Sequence, residues 1–307
     1  MNSKGKWLAV LSIIILYINS HIYGQGCSDA GICSSGSLGS TEINDSSRAS
    51  KVTISNTLAM GEQFVFVEIV QLGAKLVIFK KLFLDVKLPY QYVIGNLGRN
   101  AEMGDLSYSI SGLIPLNEDK QLILMGGGTF PMTNTNASSD GKPLPTSYIA
   151  GSGTVELLLG ASYFVNNWSF SLGYQHAFNR NNNEFLHSEW SGNDKAEKYF
   201  ESNKLKRGDD VMLRLGKRYS VSDKTLFLSL LPIYRLQEDE IIIDNKNVKL
   251  EGSKGLTLNI NFGMLYPLTD RIDLRFSYGS PVIWRKVRAD GLTRPFVFNA
   301  ILEYKFI

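Results

Sequence analysis

The feature that most constrains this chain is an alternation of apolar and polar residues with period two, recurring from about residue 51 onward. The stretch FVFNAILEYKFI (296–307) carries it openly. Phe296, Phe298, Ala300, Leu302, Tyr304 and Phe306 fall on one parity, and Val297, Asn299, Ile301, Glu303 and Lys305 on the other. Successive side chains of a strand point to opposite faces, so one face here is apolar and aromatic while the other turns charged. Trp168, Phe170, Leu172 and Tyr174 oppose Ser169, Ser171, Gly173 and Gln175 in the same way, and Ile272, Leu274, Phe276 and Tyr278 oppose Asp273, Arg275, Ser277 and Gly279. Val65, Val67 and Ile69 alternate with Phe66 and Glu68. No helical periodicity of comparable length competes.

The alternation predicts about twelve strands, at roughly 51–60, 64–77, 81–90, 105–114, 121–130, 152–164, 168–178, 209–219, 225–235, 255–266, 271–282 and 295–306. Their connections alternate in length. Short turns at 79–81, 117–120, 165–167, 221–224 and 268–271 interleave with long polar links at 91–104, 131–151, 179–208, 236–254 and 283–294. An even number of antiparallel strands with short turns on one side and long loops on the other describes an all-β transmembrane barrel of the bacterial outer membrane, with periplasmic turns and extracellular loops. Strands of this length suit a tilted crossing of the hydrocarbon layer. A soluble sandwich would instead cover its aromatic faces with a second sheet.

The facing expectation follows. Aromatic parities meet lipid, and charged ones meet a polar lumen; a sheet in lipid must close on itself to pair every backbone group. The residues expected to face the lumen are Glu68, Asp85, Lys87, Glu156, Arg214, Asp273, Arg275 and Glu303. Arg285, Lys286, Arg288 and Arg294, just beyond a strand top, form an expected basic outer rim, either pairing with lipopolysaccharide phosphates and acidic loops or attracting anions to the mouth.

The first residues set the compartment. Lys4 and Lys6 precede an apolar run from Trp7 to Ile18, followed by Ser20 and Gly24, the pattern of a cleaved secretory signal peptide over 1–24. The run is shorter than the roughly twenty apolar residues a spanning helix needs. Cys27 and Cys33, in CSDAGIC, read as a local disulfide in an oxidising compartment; zinc would need further ligands nearby, and the spacing is not C-x-x-C. Residues 25–50 are rich in Ser, Gly and Asp with little periodicity, a lead segment that either plugs the lumen or hangs in the periplasm before the barrel at 51–307.

Chemistry beyond a barrel is sparse. The formal charge of +3 is spread among acids, unlike the concentrated basic stripe of a nucleic-acid binder. A hydrolase would need a serine activated by an oriented histidine. Beyond the signal only His176 and His187 remain, and His187-Ser188-Glu189 lacks the His-x-Ser-Asn-Gly pattern of outer-membrane acyl hydrolases, so no enzymatic role is expected. The oxygen-rich runs NRNNNE (179–184) and EDEIIID (238–244) do not follow an EF-hand loop, and neither a metal nor another cofactor is expected.

The aromatic-ended closing strand resembles the assembly signal of outer-membrane proteins, which implies contact with the barrel assembly machinery. MGDLSYSISGLIPL (103–116), the glycine-rich strand ending in GGGTFPMT (126–133) and LPTSYIAGSGTVELLLGASY (144–163) resemble the layout of the barrel family associated with meta-cleavage phenol degradation. That family is similar to channels for long-chain fatty acids and aromatic hydrocarbons. The resemblance implies uptake of small hydrophobic molecules, and the fatty-acid channels place an N-terminal segment in the lumen as a hatch. The alternation by itself leaves open a non-transporting barrel that serves in surface binding, adhesion or envelope structure.

Overall fold

The structure, a computed structural model, describes Leu38, residues 49–291 and residues 294–306. Its barrel strands are β1 (Ser50–Met60), β2 (Phe66–Phe79), β3 (Leu82–Gly95), β5 (Leu106–Asn117), β6 (Lys120–Phe130), β9 (Glu156–Val165), β10 (Trp168–Ala177), β11 (Asp210–Val221), β12 (Lys224–Arg235), β15 (Gly255–Pro267), β16 (Ile272–Ile283) and β17 (Phe296–Phe306). Each pairs antiparallel with its neighbour, and β1 pairs with both β2 and β17, so the twelve-strand sheet closes without an edge. The strands lie close to where the alternation places them. No helix among the described residues is long and apolar enough to cross a membrane, which for a barrel carries no weight.

The link expected at 91–104 is largely strand. β3 runs on to Gly95 and turns back into β4 (Gly98–Met103), a hairpin standing above the rest of the wall. At Gly104 and Asp105 the chain leaves the sheet before β5 begins. The buried Asp105 carboxylate accepts hydrogen bonds from the backbone N–H of Met132 (3.3 Å), Thr133 (3.4 Å) and Gly153 (2.9 Å) and from the Ser152 hydroxyl (3.1 Å), fastening the following loop into the break. Two further hairpins lie in the extracellular loops, β7 (Ser138–Ser139) with β8 (Lys142–Pro143) and β13 (Glu240–Ile243) with β14 (Lys246–Lys249).

The outward parity is mostly apolar around the barrel. Ile54, Leu72, Leu124, Leu172, Leu230, Phe262, Tyr304 and Phe306 are all exposed, as lipid-facing residues should be. The inward parity carries hydroxyls, amides and charges. Ser107, Ser109, Ser111, Ser162, Ser169, Ser171, Thr257 and Asn259 are buried, and the Ser162 hydroxyl donates to that of Ser171 at 2.8 Å.

Candidate transport lumen

Charges gather on the inner wall at the end with the short turns. Lys51 Nζ lies 2.6 Å from Glu303 and Lys305 Nζ lies 2.8 Å from Asp273. Asp85 faces Lys75 across β2 and β3, and Lys87 sits on the same inward parity as Asp85 and the buried Phe83 and Gln91. Arg275 points inward two residues beyond Asp273. Five cations (Lys51, Lys75, Lys87, Arg275, Lys305) thus share this wall with three carboxylates (Asp85, Asp273, Glu303). Asp273, Glu303, Glu156 and Arg214 are all buried, Arg214 between Met212 and Gly216 on the inward parity of β11.

Glu68 does not face the lumen. Val67 and Ile69, its neighbours in β2, are buried on the inside, so Glu68 lies on the outward parity with Phe66 and Val70. There its carboxylate accepts a hydrogen bond from the outward-facing Asn56 amide of β1 at 2.8 Å. The parity is reversed from expectation because the upper inner wall here is apolar. Ala59, Val67, Ile69, Val93 and Val297 meet apolar side chains brought in by the extracellular loops.

Those side chains form a cap over the extracellular mouth. Leu144, Tyr148 and Ile149 from one loop and Phe185, Trp190, Ala196 and Tyr199 from the next pack against that wall. Trp190 Nε1 donates to the Pro143 carbonyl at 2.6 Å, and the Asn183 amide donates to the Thr135 and Leu144 carbonyls at 2.8 and 2.9 Å. The Tyr199 hydroxyl donates to Asn96 at 2.6 Å and lies 3.2 Å from that of Tyr148, which accepts from the Leu97 N–H at 3.0 Å. A Cβ at Gly95 would collide with the Tyr148 hydroxyl and with Val65, so only glycine lets this ring approach the β3 hairpin.

Beside the cap lies a buried ionic network that also revises the expected basic rim. Arg235, at the end of β12, bonds Asp210 through Nε (2.9 Å) and Nη2 (2.8 Å), and Asp239 through Nη1 (2.6 Å); its Nη2 is 3.1 Å from Asp290. Arg285 donates to Asp290 (2.8 Å) and to the Ser253 carbonyl (2.8 Å). Arg207 reaches Glu156 (3.1 Å) and Asp210 (3.3 Å), and Glu156 also accepts from Gln175 at 2.7 Å. Burial pushes the Asp239 carboxyl up, with Arg235 opposing and Asp290 assisting. Burial acts on Asp290 too, but Arg285, Arg235 and Arg207 outweigh it and hold that carboxyl below the usual range. An exposed basic rim is therefore not what these arginines make. Arg285 and Arg294 are buried, Arg288 lies 2.9 Å from Glu62, and of the four expected rim residues only Lys286 is exposed. The acids that draw Arg285 inward, Asp239 and Asp290, lie in two loops whose meeting no local pattern announces.

Deeper in the lumen, Leu38 is fully buried against the inner wall, with Met125, Leu158, Met212 and Leu231 around it. A Cβ at Gly160 would lie 2.6 Å from Leu38 Cδ1, so the glycine makes room for this side chain. Cys27, Cys33 and the expected signal peptide lie outside the described residues. His176 Nδ1 is 2.7 Å from Asp209, and His187 Nε2 is 2.8 Å from the Tyr199 carbonyl. Among the described residues no group of His, Cys, Asp and Glu is placed to hold a metal.

No protein-family model matches the chain, and no curated protein does. Solved structures do. The chain is similar to the COG4313 outer membrane channel from Pseudomonas putida F1, with a TM-score of 0.59 at 16% identity over 84% of this chain and 95% of that one. It also matches the NanC porin (TM-score 0.49, 10% identity, 83% and 100% of the two chains) and the translocator domain of autotransporter NalP from Neisseria meningitidis (0.46, 9%, 84% and 88%). At these identities the likeness concerns the fold, a closed antiparallel barrel of the outer membrane.

Proposed function

We propose that this outer-membrane barrel is a channel for small solutes, and that hydrophobic solutes are its class. The observation that carries the reading is the two-zone interior. Next to the extracellular cap the wall offers Val67, Ile69, Val93 and Val297, whereas the periplasmic half offers hydroxyls and charges. A barrel with a purely structural role would be better served by one continuous packed core, because every buried charge needs a partner or water. An apolar zone under a closable cap suits a solute that leaves water on entry. The fold likeness to an outer membrane channel agrees with this use.

The lead segment belongs to the same proposal as the element that closes the lumen from within. Leu38 supports it, being seated in an apolar niche of β6, β9, β11 and β12 only twelve residues before β1 begins at Ser50. Deleting residues 26–48 while keeping the export signal should raise single-channel conductance and antibiotic leakage several-fold without loss of assembly. An assembled deletion variant with unchanged conductance would reduce the segment to a periplasmic tail.

A second reading rests on the cap itself. Leu205, Ile241 and Ala289, with Phe200, Ile243 and Leu250 against them, give the extracellular loops their own apolar cluster, as a surface-binding barrel would need. Liposome uptake of small apolar and polar probes separates the two. A non-transporting barrel takes up neither, with or without residues 26–48.

A further inference from the structure

The outer wall near the short turns holds lysines where a lipid-facing strand would normally carry none, and two of them, Lys217 and Lys224, stand against aromatic rings. Lys217 lies on the outward parity of β11 with Leu213 and Leu215, directly across from Trp168 of β10. Its Nζ stands 4.5 Å from the Trp168 ring centroid and 5.3 Å from that of Tyr219. One strand on, Lys224 opens β12 opposite Val221, and its Nζ stands 5.1 Å from the Tyr266 ring of β15. Trp168 and Tyr219 are each 45% exposed, so these rings meet the membrane and are not covered by protein.

An ammonium cannot rest in hydrocarbon, but a lysine can lay its stem along apolar surface and lift its charge to the headgroup level. Trp and Tyr mark that level on a membrane protein. The two lysines sit beside the turns at 166–167 and 222–223, which end the strands on the periplasmic side. Neither makes an ion pair among the described residues, although Asp223 adjoins Lys224, whereas the inward lysines Lys51 and Lys305 are each matched to a carboxylate. The rings fix each ammonium by cation–π attraction without neutralising it, since a ring offers a quadrupole and no charge.

We propose that Lys217 and Lys224, framed by Trp168, Tyr219 and Tyr266, form a docking site for the phosphate headgroup of an anionic glycerophospholipid in the periplasmic leaflet. Charge complementarity selects the occupant. A lipid with net negative charge gains from both ammonium groups, whereas a zwitterionic lipid brings its own cation among them. The acyl chains would lie along Phe170, Leu228 and Leu230 on the same outward wall.

The test uses the mature barrel in vesicles whose phosphatidylglycerol or phosphatidylethanolamine is brominated on the acyl chains. The quenching that disappears in Trp168→Phe reports lipid next to Trp168. Wild type should favour phosphatidylglycerol over phosphatidylethanolamine by about five-fold or more, the size expected for even one lysine at a membrane surface. Lys217→Gln/Lys224→Gln should bring the ratio near one, Lys→Arg at both positions should restore it, and salt should weaken it in wild type. Equal quenching by both lipids in wild type, or an unchanged ratio in the double glutamine variant, overturns the site. Should the double variant fail to fold, Lys217→Gln alone and the salt titration of wild type decide, and a salt-independent ratio counts against the proposal.

Discussion

Leu38 and Gly160 make the tightest demand in the lumen. With the leucine methyl 2.6 Å from where a Cβ would stand, Gly160→Leu leaves no room and should expel Leu38 from its niche. In a chain with Leu38→Cys and both native cysteines replaced by serine, maleimide labelling of the assembled barrel should rise sharply on adding Gly160→Leu. On the outer wall the demand is chemical. Leu230 lies mid-strand, 43% exposed and cross-strand from Leu215 and Ile260, so Leu230→Arg should cost about 2–4 kcal/mol if it sits near the bilayer midplane, read from denaturant unfolding in vesicles. Glu68 shows where residue-level reading reaches its limit. Alternation separates two faces but does not say which is inside, and a charge is normally the guide. Here the guide fails because loops far away in sequence fill the inside with apolar groups, while Asn56 satisfies the carboxylate outside.

At the scale of elements, the extracellular cap is held by charge as much as by apolar packing. Arg235 reconciles three carboxylates, Asp210, Asp239 and Asp290, from one strand start and two loops. Arg235→Gln should therefore leave uncompensated buried negative charge and loosen the cap by about 3–5 kcal/mol, seen as faster protease cleavage of the loops on folded barrels. A second tie joins the β1–β2 turn to the last loop through Glu62 and Arg288. Burial pushes the Glu62 carboxyl up to about 7 even with Arg288 beside it. A raised carboxyl means the folded cap holds a proton that the opened cap releases above about 4.5. This contribution is therefore neutral in acid, becomes unfavourable as pH rises from about 4.5 to about 7, and is constant above. Protease resistance of the cap should fall between pH 5 and pH 8, and Glu62→Gln should flatten that slope. None of these ties is legible in the chain alone, because Glu62, Asp239 and the Arg288–Asp290 stretch sit in three separate loops whose polarity reads as solvation. The strands are legible, since lipid outside and a polar lumen inside write themselves into every second residue.

For the whole molecule, closure and connection lengths decide orientation. β1 and β17 lie side by side at Ser50 and Phe306, so the sheet begins and finishes on the side of the short turns. The cap, the ionic network and the loop running from β10 to β11 all stand at the opposite end. Insertion through the periplasm leaves short turns behind and carries long loops outward, so that end should be extracellular. Asp194 and Lys195 are exposed at the crest of the β10–β11 loop, away from the buried Trp190 and Ala196 that anchor it. An epitope inserted between them should bind antibody on intact cells, with the barrel still resistant to denaturation on unheated gels. An epitope in the turn at 222–223 should bind only after the outer membrane is broken. The reverse pattern would place the lysine–tryptophan girdle in the outer leaflet, where lipopolysaccharide and not phospholipid would meet it. The two epitopes thus test the orientation of the barrel and the leaflet of its lipid site together.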